Sequence, residues 1–187
     1  MNDKIIGNLT LEDLTSGIPT LTKYKAAMLK ESCVWCLIKC NHQNGVQIAF
    51  DICDDSGRYN IKWNDDVDLD GILRAYNSDD AIEFGAEAIA LLLIKEKTPY
   101  TAIERAVKPS GIDYWLGYKN SNSLFSKFDA RLEITGILTE RGSNTIKSRI
   151  NQKLERPMIS NNVFPVFISV IEFGQPKAVT VRRDGNN

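Results

Sequence analysis

No apolar run in this chain is long enough to cross a bilayer, and the opening Met1-Asn2-Asp3-Lys4 carries no hydrophobic leader core. The expectation is a cytoplasmic protein with no membrane partner. An excess of one charge is missing too: 23 Lys plus Arg stand against 24 Asp plus Glu. That excludes the global basic footprint of a protein that coats nucleic acid, and leaves room for a local basic groove. Cysteine is scarce and confined to the first third, at Cys33, Cys36, Cys40 and Cys53. Cys33-Val-Trp-Cys36 has zinc or redox spacing, but no second close pair accompanies it, although His42 is near. Ser32 to Lys39, rich in Val, Trp, Leu and Ile, reads as a strand, where residues three apart point to opposite faces. The cysteines therefore read as reduced, buried apolar residues. No internal repeat or low-complexity tract is present.

What is present is a chain of 187 residues, 43% apolar, enough for one sizeable core. Residues 1–78 read as an N-terminal arm and antiparallel β meander packed on an α/β core at 79–187. Residues 1–20 predict an irregular arm with one helical turn at Leu11 to Leu14, and Leu21 to Lys30 a short helix. Ser32 to Asn41 and Gly45 to Cys53 then predict two strands joined by a hairpin, because Asn44-Gly45 tolerates positive φ. Arg58 to Trp63 predicts a third strand after the turn Asp54-Asp55-Ser56-Gly57. Asn64 to Gly71 places acids at alternate positions as a calcium loop does, but lacks the closing Glu, and reads as a solvated acidic connection. Asp79-Asp80 caps a helix from Ala81 to Lys97, whose Ile82, Ala86, Ile89, Ala90, Leu93 and Ile94 imply burial against a sheet. Thr98-Pro99 ends it. Strands follow at Tyr100 to Val107, Ile112 to Tyr118 and Asp129 to Thr139, then a basic amphipathic helix at Thr145 to Leu154, then strands at Phe164 to Phe173 and Lys177 to Arg182.

Asp113 and Glu133 each fall inside a short apolar run, where an unpaired charge is strongly disfavoured. Two readings account for them. In one, Asp113 sits at a strand edge beside Arg105 or Arg131, and Glu133 pairs with Arg131 or faces solvent. In the other, both carboxylates hold a hard cation such as magnesium.

The order helix, three strands, helix, strand, with Asp113 early in the second strand and Glu133 in the third, resembles the core of the PD-(D/E)xK nuclease superfamily. The resemblance covers roughly 81–173. It implies a restriction-endonuclease-like αβββαβ core and Mg2+ or Mn2+ held by Asp113 and Glu133, with Glu83 or Glu87 as an acid from the preceding helix. It also implies a lysine two residues after the Glu. That position is Thr135, so the cation has to come from elsewhere, with Lys119, Lys147 and Lys153 as the candidates; Lys147 is taken as the catalytic one. Arg105, Lys108, Arg131, Arg141, Lys147, Arg149 and Lys153 are the cations available to face phosphates.

The expected function is metal-dependent cleavage of DNA or RNA, in the prokaryotic defence or mobile-element setting where small members of the superfamily occur. The alternative is a catalytically degenerate adaptor in a larger complex, with a protein partner or a second copy; Val34, Trp35, Ile48 and Phe50 would suit a partner interface, although core packing is the commoner role for most such residues.

Overall fold

The computed structural model describes residues 4–64, 67–107, 110–119, 128–156 and 163–185. Ile5–Thr10 forms a strand (β1) and Leu11–Thr15 a 3-10 turn, where the sequence predicts an irregular arm. Thr22 then caps a long helix, Lys23–Lys39 (α1), by accepting from the Lys25 amide. This corrects the strand expected at Ser32 to Asn41. Val34, Trp35 and Ile38 favour strands, but Leu29, Cys33, Cys36 and Leu37 recur at helical spacing and all four are buried. Enclosure of that face overrides intrinsic preference. Cys33 and Cys36 consequently lie one turn apart on the same face. They are free buried thiols, pushed by burial well above the ordinary thiol range, and Cys36 donates to the Ala81 carbonyl at 3.2 Å.

The expected Asn44-Gly45 hairpin becomes a helix-to-strand connection, with Asn41 (φ 61) and Gly45 (φ 94) in the left-handed region. The hairpin lies one step later, between Gln47–Ile52 (β2) and Asp55–Lys62 (β3). Its two-residue turn is Cys53-Asp54, both at positive φ, as a primed turn requires. Val34, Trp35, Ile48 and Phe50 are at most 5% exposed, which removes them as a partner surface.

Asp68 accepts from the Gly71 amide and starts a short helix, Leu69–Ala75 (α2), so this part of the acidic stretch is a helix cap; Asp65 and Asp66 lie outside the described residues. The long apolar helix is Ser78–Lys97 (α3). Its cap is Asn77, which accepts from the Asp80 amide, while Asp79 and Asp80 meet the positive end of the dipole in the first turn. Then come Tyr100–Arg105 (β4), Tyr114–Tyr118 (β5), Ala130–Ile137 (β6), Ile146–Glu155 (α4, capped by Thr145), Val166–Glu172 (β7) and Lys177–Arg183 (β8). Each falls where the sequence predicts it, with ends shifted by at most two residues.

All eight strands join one mixed sheet in the order β1-β3-β2-β8-β7-β6-β5-β4. From α3 onward the chain runs helix, three successive antiparallel strands, helix α4 as a crossover, and β7 parallel to β6. β8 returns antiparallel to β7 and pairs in parallel with β2, and β1 pairs in parallel with β3. The architecture is mixed α/β. Alternate residues of β6 divide the two faces: Leu132 and Ile134 join the large core that contains α1 and α3, whereas Ile137 packs with Val170 and Ile150 under α4. No helix among the described residues is long and apolar enough to cross a membrane.

α3 is buried without interruption from Gly85 to Ile94, which is why its sequence is apolar on nearly every side. Two glycines set how closely it is held. A Cβ at Gly85 would lie 3.0 Å from the Ser32 carbonyl of α1, and one at Gly136 of β6 would strike the Ile82 carbonyl of α3. Gly85→Ala and Gly136→Ala should each destabilise by about 1–3 kcal/mol through overpacking. Denaturant unfolding measures it, and unchanged midpoints would contradict the close approach.

Candidate functional site

β5 and β6 pair only from Tyr114 opposite Leu132 to Leu116 opposite Ala130; beyond that, β6 continues to Ile137 with β7 on its other side. The free edge of β6 makes the site. Asp113 immediately precedes β5, and its amide donates to the Leu132 carbonyl of β6 at 2.8 Å, next to Glu133 in the chain. The end of the β5–β6 pairing thus brings two acids far apart in sequence to one hollow. Where β5 turns away, the Ile134 amide has no strand partner, and Asp113 Oδ2 accepts its hydrogen at 2.8 Å. Oδ1 has no hydrogen-bond partner among the described residues.

Burial raises the Asp113 pKa above the ordinary carboxylate value, and Glu87 adds to the rise; the Ile134 amide, Lys153 and Arg105 oppose it. Glu133, with a side chain 12% exposed, receives Lys153 Nζ from α4 at 2.5 Å, and Arg156 lies at 4.0 Å. The ion-pair reading of Glu133 is therefore met by a lysine of the crossover helix, not by Arg131.

Both acids open into a hollow of about 710 Å³ between α3 and α4. Asp79, Glu83 and Glu87 line its α3 side, and Arg149, Lys153 and Arg156 its α4 side. Thr135, where the resemblance wants a lysine, lines it too. The structure thus gathers Asp113, Glu133, Glu83, Glu87, Arg149 and Lys153 at one place. Lys147 is exposed and borders different surface hollows. Lys119 donates to the Lys95 carbonyl. Arg105 is turned onto Glu87, Arg131 is fully buried with its guanidinium donating to the Phe164 carbonyl, and Lys108 lies outside the described residues. Sequence reasoning missed Arg156 and Asn144, whose side-chain oxygen accepts from Arg149 Nε at 2.8 Å. Arg156 lies just past α4 in extended backbone, so no helical periodicity pointed to it.

Glu87 is 1% exposed and committed to a charged cluster: Arg105 at 2.7 Å, the Tyr114 hydroxyl at 2.9 Å and Lys25 at 3.4 Å. Burial lowers the Lys25 pKa against the pull of Glu87, and raises that of Tyr114 together with Glu87. Removing one partner of such a cluster leaves uncompensated charge. Glu87→Ala should therefore cost about 3 kcal/mol, the low end for a buried pair because Arg105 is 38% exposed. Urea unfolding checks this, and a loss within error of zero would contradict it.

Among the described residues, no group of three or more His, Cys, Asp or Glu side chains is placed to hold a metal. The two acids fit magnesium on a different ground: that ion takes one or two carboxylates and completes its shell with water and substrate phosphate. Asp113 is the stronger candidate, a desolvated carboxylate with one uncommitted oxygen, which a cation would stabilise. No protein-family model matches this chain, nor does any curated protein or any solved structure.

Proposed function

We propose that this protein is a metal-dependent nuclease of the PD-(D/E)xK kind, hydrolysing phosphodiesters of DNA or RNA, with its lysine supplied by α4. The observation that carries the reading is the convergence of Asp113, Glu133 and Lys153 at the free edge of β6. The pairing of β4 through β7 around α4 supports it, being the strand order that the αβββαβ core requires.

Asp113 and Glu133 would hold magnesium or manganese, which supplies Lewis acidity, a more acidic bound water and charge neutralisation at the leaving oxygen. Asp113 is fixed for this by the Ile134 amide, which directs one carboxylate oxygen along the strand edge and leaves the other to the hollow. Glu133 is fixed by Lys153. Lys153 keeps an ammonium group at the acid pair, where it offers a proton donor and a positive charge to a nearby water or phosphate oxygen. Thr135 contributes no charge, so Lys153 takes the role of the missing lysine.

The test is cleavage of end-labelled single-stranded and duplex DNA and RNA with magnesium or manganese. Wild type should cleave at least one of them, EDTA should abolish it, and the Asp113→Asn, Glu133→Gln double variant should be inert. The absence of the lysine at position 135 favours a second reading, the degenerate adaptor. Wild-type protein that binds no metal and cleaves nothing would select it.

A further inference from the structure

The two walls of the hollow differ in sign. Arg149 and Lys153 lie at i and i+4 of α4 and Arg156 follows as its C-cap residue, together the cationic side of the hollow, while Ile146, Ile150 and Leu154 pack beneath the helix. Facing them, Asp79 and Glu83 form an exposed anionic stripe on α3, also at i and i+4. A polyanion in this hollow is drawn to α4 and repelled from α3, so there is favourable ground for one phosphate backbone and not for two.

The second observation is aromatic. Trp115, the second residue of β5, lies two residues after Asp113, which keeps the two backbones within about 7 Å. Its ring stacks on Phe128 at 4.7 Å and 16°, and Phe164 meets it edge-on at 6.3 Å. All three residues are half-buried, whereas Trp35 and Trp63 are 5% and 8% exposed. A cationic track beside a stacking platform is the combination that binds unpaired nucleotides, whose bases are free to stack.

We infer that the substrate is single-stranded nucleic acid, its backbone along the cationic α4 side and a base against the Trp115 cluster, and that Asp79 and Glu83 discriminate against duplex. This rests on the nuclease reading of the same hollow. The experiment is fluorescence titration in EDTA with oligothymidylate, oligouridylate and a blunt hairpin duplex.

Either single strand should bind at least about tenfold tighter than the duplex and quench Trp115 emission, with the DNA-to-RNA ratio reporting on the 2′-hydroxyl. Arg156→Ala, at an exposed position, should reduce the salt slope by about 0.7. Asp79→Asn with Glu83→Gln should strengthen duplex binding and leave single-strand binding in place. Duplex bound as tightly as single strand, or saturation without a change in Trp115 emission, would overturn the inference. Magnesium calorimetry on the same preparation reports separately on the nuclease reading: metal bound without strand preference leaves that reading standing.

Discussion

Asp113→Asn should make the metal-free protein more stable at neutral pH while removing magnesium affinity and cleavage. Asparagine retains a side-chain oxygen to accept from the Ile134 amide, so the cap on the free edge of β6 survives. What disappears is the charge. Burial raises the folded-state pKa of Asp113, so the folded protein binds that proton more tightly than the unfolded chain does. Metal-free stability consequently falls as pH rises from the ordinary value of 3.8 through the raised folded value, and stays lowered above it.

The variant has no such loss. Its melting temperature should exceed that of wild type at neutral pH, with the two converging below pH 3.8. Adding magnesium reverses the order, because only the wild type gains the stabilisation of a ligand bound to the native state. Cleavage should fall by about 10³-fold or more, the kinetic equivalent of several kcal/mol of lost charge stabilisation. An Asn variant melting below wild type without metal, or still cleaving, would refute this account of Asp113.

Lys153→Met should lower cleavage by about 10²–10⁴-fold, the range for loss of a positioned proton-transfer group, without lowering magnesium affinity. Lys153 acts from α4, beside a strand residue that the resemblance expects to be followed by lysine two positions on. Residues 133 and 135 share a face of β6, and Thr135 lines the same hollow. Thr135→Lys added to Lys153→Met should therefore restore most of the lost rate by returning the ammonium group from the strand. The measurement is single-turnover cleavage at saturating metal, which separates the chemical step from binding. Full activity in Lys153→Met would remove the lysine from the mechanism. No recovery in a folded double variant would show that the two positions do not reach the same place.

How much of this was legible in the chain depended on whether local signals agreed with burial. From Asn77 to Arg183 they did: Asn77 and Thr145 cap helices, Thr98-Pro99 ends one, and apolar runs of strand length lie between polar turns. In α1 they conflicted, because Val34, Trp35 and Ile38 carry strand preference into a helix enclosed by α3 and the sheet. The Cys53-Asp54 turn was hidden for a related reason. Gly57, which looks like a turn residue, is a strand position where a Cβ would lie 3.2 Å from the Phe50 ring.

At the site, Asp113 and Glu133 were legible as acids within apolar runs. The phase of α4 could not choose among the lysines: the stripe Ile146, Ile150 and Leu154 is flanked by 147 on one side and 153 on the other, and only the packing of the helix turns 153 to Glu133. The Glu87 cluster was not legible, because Lys25 and Arg105 meet it only through packing between distant elements.

The metal site we propose is formed by Asp113 and Glu133 at the free edge of β6. Isothermal calorimetry of magnesium binding to wild type, Asp113→Asn and Glu133→Gln tests it most directly. A single binding event is expected in wild type and its loss in either variant, each still folded by circular dichroism. Binding that persists in both folded variants, or is absent from wild type, would contradict it.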